Sequence, residues 1–354
     1  MTRINALSLA AGLSLIPSLV CGQEVVPPPA MFEANKFKLE LYADMEPLGG
    51  NLKAFQLTLN DGTNGFPAGL FVTSGWLATT ESDRLVFIGK DARPEVLLHG
   101  LRSNESILFS KHAKHNGLLV TVPRDNLILR FEDKEALAGF ETNKGDYTFM
   151  ANVGSSPFGP AVLSEDTAGN LYYSDFSAGY IGKISPNGDV KKDFATIPPP
   201  KGDVIRVFGE KKEMPSQNPE YGDGLLVGEF TGGEYLTGQG TIYKVDFNGK
   251  VEPFSTGYDG LELFEFGPGE PYGKELYVAT MGNDRPGNGF VYKVMPDGSK
   301  IPFIVGISAG DVEFDPEGIL GTKDAMYVSD VSPGWKDGKQ VPAAGKIWKV
   351  TPVQ

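Results

Sequence analysis

Oxygen-bearing side chains recur at one kind of place in this chain, just before short β-rich runs. Ahead of such runs stand Asn51, Asn104-Glu105, Phe158-Gly159, Gly202-Asp203, Asp259-Gly260 and Gly310-Asp311, while Asp175, Glu229 and Asp330 close other runs. If the fold gathers these groups around one axis, their like charges repel strongly in a low dielectric. A bound divalent cation would relieve the repulsion. Oxygen ligands of this type suit a hard ion such as Ca²⁺ or Mg²⁺, and less specifically Mn²⁺ or Zn²⁺. Taken singly, each Asp also reads as ordinary turn chemistry, its carboxylate capping a loop.

The elements that would gather them repeat. Lys274-Glu-Leu-Tyr-Val-Ala-Thr-Met281, Gly289-Phe-Val-Tyr-Lys-Val-Met-Pro-Asp-Gly298 and Lys300-Ile-Pro-Phe-Ile-Val305 form the clearest copy of a unit that recurs about six times. It is echoed by Asn170 to Asp175 with Tyr180 to Gly188, and by Ala325 to Asp330 with Gly345 to Pro352. Such a period predicts an all-β, six-bladed β-propeller with four-stranded antiparallel blades. Inner strands are expected near Leu52–Leu59, Ser106–Phe109, Pro160–Leu163, Asp203–Phe208, Gly260–Phe264 and Val312–Phe314. The sixth unit runs out of chain after its third strand, and Phe37–Tyr42 is a spare strand. Pairing the two would close the ring and remove two sheet edges. Asn187-Gly188, Asn248-Gly249 and Asp297-Gly298 are expected as two-residue hairpin turns. Pro160, Pro253 and Pro302 fall at strand starts or in outer strands, where a missing N–H is tolerated. The only helix expected is a short turn near Ala136–Phe140.

Bulk properties bound the rest. The chain has 354 residues, 45 of them Gly and 26 Pro, with a formal net charge of −13. Residues 1–22 read as a secretory signal, with Arg3, an apolar run from Ala6 to Val20, and Val20-Cys-Gly22 at the cut. Loss of Arg3 with that leader moves the net charge to −14. Residues 23–35 read as an extended leader and 36–354 as the propeller. Cys21 is the only cysteine, so an exported chain must rely on core packing. A secreted or periplasmic monomer is expected. The acidic surface argues against nucleic acid, and the short apolar run broken by Pro17 argues against a membrane span.

The motifs Leu171-Tyr-Tyr-Ser-Asp175 and Met326-Tyr-Val-Ser-Asp330, Gly345-Lys-Ile-Trp-Lys-Val350 and the Asp-Gly turns resemble the six-bladed superfamily of the SMP-30/gluconolactonase, strictosidine-synthase-like and NHL-repeat proteins. The resemblance covers the mature chain. In the lactonase branch it implies a channel metal, most simply calcium, held by acidic and amide side chains from different blades, with a further Asp as base. Glu105, Asp203, Asp259 and Asp311 stand at matching positions as ligands, and Asp259 or Asp311 as catalytic base. The family's opening Glu is Asn51 here, and no Glu-Gly-Pro motif is present. The implied reaction is hydrolysis of a small sugar-derived or related ester, with the metal polarising the carbonyl and a carboxylate taking the proton of a held water.

Asn51, Asp175, Glu229, Tyr235, Asn283, Arg285 and Trp335 would line the substrate pocket, with Asp284 nearby. Two alternatives remain open on the residues themselves. One is a non-catalytic propeller that binds a carbohydrate or a protein partner. The other is a sugar dehydrogenase or lyase of another propeller family, for which Arg124, Arg206 and Arg285 are candidates. His112 and His115 read as a surface turn on the face opposite the carboxylates. No CxxCH is present, so covalent haem is excluded. Asn104-Glu-Ser106 is a glycosylation sequon that matters only in a eukaryotic host.

Overall fold

The computed structural model describes residues 29–49, 52–74, 83–101, 104–140, 147–153, 159–175, 178–198, 207–209, 218–229, 238–282, 288–331, 335–336, 339–340 and 345–353. Six antiparallel sheets stand as the blades of a propeller, five with four strands and one with five. Their inner strands are Leu57–Asn60, Ile107–Ser110, Pro160–Glu165, Val207–Gly209, Leu261–Phe266 and Ala309–Asp315. The second strands are Gly69–Thr73, Gly117–Val122, Leu171–Asp175, Leu225–Glu229, Leu276–Thr280 and Ala325–Asp330. Lys134–Phe140 is the one α-helix among the described residues.

The second strands read as unbroken apolar runs because both of their faces are buried. Alternate side chains serve opposite neighbours. Leu225 and Val227 pack toward blade 3, whereas Leu226 packs toward blade 5. Tyr277 and Ala279 pack toward blade 6, Leu276 and Val278 toward blade 4. Six apolar clusters thus fill the six clefts between blades. A seventh lies on the axis. There Phe55, Ala161, Val162, Leu263, Met281 and Val331 meet from four blades. Blade 1 can touch blades 3 and 5 only across the channel, so this cluster closes the channel at its own level.

The ring closes as the spare strand requires. Phe37–Asp44 pairs antiparallel with Lys346–Pro352 and becomes the outer strand of blade 6. Within the stretch read as a leader, Ala30 and Met31 pair with Val305 and Ile304 and add a fifth strand to blade 5. Residues 1–28, which hold the expected signal segment, lie outside the described residues.

The third-to-fourth-strand turns correct one expectation. They are longer than two residues, because Ser185 N–H donates to Asp189 O, Asp246 N–H to Lys250 O and Met295 N–H to Ser299 O. Gly188 N–H donates to Ser185 O (2.8 Å), Gly249 to Asp246 O (2.9 Å) and Gly298 to Met295 O (2.8 Å), and each Gly has φ between 82° and 88°. This is a turn that ends in a left-handed glycine.

Candidate functional site

The pairings Pro160↔Asp175, Val207↔Glu229 and Ala309↔Asp330 put inner-strand starts and second-strand ends on one face. That face is the mouth. Backbone register then shows which residues are equivalent from blade to blade. Gln56 N–H donates to Thr73 Oγ1, Ser106 N–H to Thr121 Oγ1 and Val162 N–H to Ser174 Oγ. In blades 3, 5 and 6 the inner strand bulges at the same point, between Pro160 and Leu163, Leu261 and Phe264, and Ala309 and Val312. The residues inside the bulges are Ala161-Val162, Glu262-Leu263 and Gly310-Asp311.

One ring of equivalent positions is therefore Phe55, Glu105, Ala161, Glu262 and Gly310, and the next is Gln56, Ser106, Val162, Leu263 and Asp311. Glu105 and Glu262 hold the same position in blades 2 and 5, which face each other across a six-fold channel. Both are fully buried. Among the described residues, neither carboxylate oxygen of Glu262 has a hydrogen-bond partner. Its pKa is raised well above the carboxylate range, first by burial and then by the neighbouring Glu105 charge. Lys53 opposes the rise, and Asp311 adds to it. Lys53, two residues before the axial Phe55 and itself buried, thus lies within the field of the same group.

Glu262 is the residue that the sequence spacing missed. The blade-start alignment matched Asp259-Gly260 with Gly310-Asp311, but the register pairs Leu261, like Ala309, with the end of the second strand, so the counterpart of Gly310 is Glu262. The structural counterpart of Asp311 is Leu263. Asp259 is not brought to the axis. It accepts a hydrogen bond from Gly238 N–H, and its charge acts on Tyr292 and Lys300. Those residues belong to the third and outer strands of blade 5.

Asp311 does lie beside the channel, yet its oxygens are committed. Oδ2 accepts from Leu57 N–H at 2.7 Å and Oδ1 from Val312 N–H at 2.8 Å. The first of these bonds ties blade 6 to blade 1. Gln56 does the same between blades 1 and 2, accepting from Ile107 N–H and donating to Ile107 O. Ser329 Oγ donates to Phe55 O, and Thr121 Oγ1 to Ala161 O. Part of the polar ring is thus the fastening between blades.

Asp175 and Glu229 occupy equivalent second-strand ends, together with Asp330. Asp175 Oδ1 accepts from Ala178 N–H, Glu229 Oε2 from Tyr243 O–H at 3.2 Å, and Asp330 Oδ2 from Trp348 Nε1–H at 3.2 Å. These carboxylates stand at the mouth end of the blade clefts. Glu229 is buried, its Oε1 has no hydrogen-bond partner among the described residues, and burial pushes its pKa up to about 7, with the Tyr243 bond opposing the shift. Asn51, Asp203, Tyr235, Asn283 and Arg285 lie outside the described residues, as does the side chain of Trp335.

Among the described residues, no group of three or more His, Cys, Asp or Glu is placed to hold a metal ion. Asp311 is spent on backbone amides, Asp259 is elsewhere, and an ammonium shares the cluster. The described residues therefore do not fit a divalent ion. The histidines correct another expectation. His115 is buried, not in a surface turn. Its Nε2 lies 3.0 Å from Gly169 O and 3.2 Å from Glu165 Oε1, linking blade 2 to blade 3.

No family model and no curated protein matches the chain. Solved structures do. A gluconolactonase from Xanthomonas campestris superposes with a TM-score of 0.57 at 12% identity, over 92% of this chain and 95% of that one. Virginiamycin B lyase from Staphylococcus aureus gives 0.52 at 13% identity, over 90% and 100%. An auxiliary nutrient binding protein from Bacteroides ovatus gives 0.56 at 12% identity, over 90% and 77%. At such identity the likeness establishes the fold, a six-bladed propeller of the kind that gluconolactonases share, and leaves chemistry to the site.

Proposed function

We propose that the protein is an exported hydrolase of the lactonase type, acting on a small sugar-derived or related ester at the channel mouth. The observation that carries this reading is the meeting of Glu105 and Glu262 at one level of the channel, with Lys53 in the same field and an apolar floor of Phe55, Leu263 and Val331. Glu262, kept protonated by burial, would protonate the leaving alkoxide. Glu105 would take the proton of the attacking water, and the Lys53 ammonium would stabilise negative charge growing on the carbonyl oxygen. The gluconolactonase likeness supports the substrate class at the level of fold.

The test is a screen of sugar lactones and aryl esters with the wild type, Glu105→Gln and Glu262→Gln. Turnover should appear in the wild type and fall about 100-fold or more in either variant, the usual range for loss of a general acid or base. A second reading, non-catalytic ligand binding, is favoured by the apolar floor and by the nutrient-binding likeness. Calorimetric binding of a sugar by a wild type that hydrolyses none of the panel would put that reading first.

A further inference from the structure

Two side-chain positions fasten one blade to the next, and they are filled unevenly around the ring. The first directly follows Val72, Val120, Tyr173, Val227, Val278 and Val328 in the second strands, and it holds Thr73, Thr121, Ser174, Gly228, Ala279 and Ser329. Register makes these equivalent, because the preceding residues pair with Leu57, Ile107, Leu163, Gly209, Phe264 and Val312 of the inner strands. Three of the hydroxyls reach to the same place. Ser329 Oγ donates to Phe55 O at 2.6 Å, Thr73 Oγ1 to Glu105 O at 3.2 Å and Thr121 Oγ1 to Ala161 O at 2.8 Å. Each acceptor is the axial-ring residue of the following blade. The second position is the inner-strand residue directly after the axial one. There Asp311, Gln56 and Ser106 accept from Leu57, Ile107 and Leu163 N–H, at 2.7, 2.8 and 3.1 Å. Again the donor belongs to the following blade.

Blades 6, 1, 2 and 3 are thus joined in succession by two clasps at each junction. Blade 5 is joined differently. The hydroxyl that would hold Glu262 O from blade 4 is replaced by Gly228, where an added Cβ would collide with the Leu261 side chain. Toward blade 6, blade 5 offers Ala279 and Leu263, whose side chains neither donate nor accept. Val312 N–H, the donor that corresponds to Leu57 N–H, is taken by Asp311 of its own blade. Apolar clusters fill both clefts beside blade 5. Apolar burial is non-directional, whereas a hydrogen bond constrains both distance and angle. A clasped junction therefore fixes the height of the next blade, and a junction held by apolar contact alone permits the small sliding by which packed elements shear.

We infer that blade 5 is the movable wall of the channel, sliding against a fixed arc made of blades 6, 1, 2 and 3. Glu105 stands on the arc, its backbone carbonyl held by Thr73. Glu262 stands on the moving wall. The slide sets the gap between these two carboxyl groups, and with it the width of ligand that the channel admits. The movement belongs to the fold and does not depend on whether esters are hydrolysed.

Amide hydrogen exchange read by mass spectrometry on the whole purified protein tests this, with wild type, Ala279→Ser and Ser329→Ala side by side. In wild type, Leu261–Phe266 should exchange about 10-fold or more faster than Ile107–Ser110 and than Pro160–Glu165, which carries the same bulge. Ala279→Ser supplies a hydroxyl where Ser329 has one. It should slow exchange in Leu261–Phe266 and Ala309–Asp315 by about 3- to 10-fold, the worth of one net hydrogen bond. Ser329→Ala should speed exchange in Leu57–Asn60 by a similar factor and leave Leu261–Phe266 unchanged. Exchange in the wild-type inner strand of blade 5 as slow as in blades 2 and 3 would overturn the inference. So would a folded Ala279→Ser in which neither strand slows, or a Ser329→Ala in which Leu57–Asn60 does not change. If Ala279→Ser fails to fold, the wild-type comparison and Ser329→Ala decide.

Discussion

Burial holds the Glu229 carboxyl above the ordinary carboxylate range, and the consequence can be measured. Glu229 has a folded-state pKa of about 7 against an ordinary 4.5. As pH rises, the unfolded chain gives up this proton first, so the stability tied to Glu229 is full below about pH 4.5 and is lost as pH approaches about 7. Tm of the wild type should therefore fall over that window, and Glu229→Gln should flatten the fall. A denaturation series by pH checks this, and an unchanged profile in the variant would reject the shift. Glu105 was legible in the sequence because it stands directly before a strand. Glu262 was not, because Leu261-Glu-Leu-Phe264 reads as a plain alternating strand and nothing in the run announces a bulge. Lys53 was hidden for a related reason, since it lies in an irregular stretch ahead of the first inner strand and carries no turn or cap signature.

The same limit operates for whole elements. Hydrophobic runs of five or six residues and Gly punctuation placed nearly every strand, and the unpaired Phe37–Tyr42 located the ring closure. What escaped was geometry set by neighbours. The hairpins ending in Gly188, Gly249 and Gly298 share a left-handed glycine, but two of them also press on the preceding blade. A Cβ at Gly249 would collide with the Phe194 carbonyl oxygen and one at Gly298 with that of Phe254, while one at Gly188 would meet open space. Gly188→Ala should cost only the left-handed backbone penalty, about 1–2 kcal/mol. Gly298→Ala should cost that penalty together with the displacement of a neighbouring backbone, and chemical denaturation of the two variants should rank them in this order. Equal losses would mean that the blade contact carries no energy.

For the molecule as a whole, stability is distributed around a ring. Each cleft holds its own apolar cluster, and the polar fastenings Gln56, Thr121, Asp311 and Ser329 tie successive blades together. Removing residues 346–354 should strip Phe37–Asp44 of its partner, leave open edges on both sides, and yield aggregation in size-exclusion chromatography in place of a single compact peak. A monomeric, cooperatively melting truncation would show that the remaining blades hold without closure. The pairing of Phe37–Asp44 with Lys346–Pro352 also imposes a clock on biogenesis. The earlier strand must wait for the later one, so a growing chain cannot seal its ring until Lys346–Pro352 has been made. It stays threadable until then, and a prematurely terminated copy betrays itself by its unsealed seam.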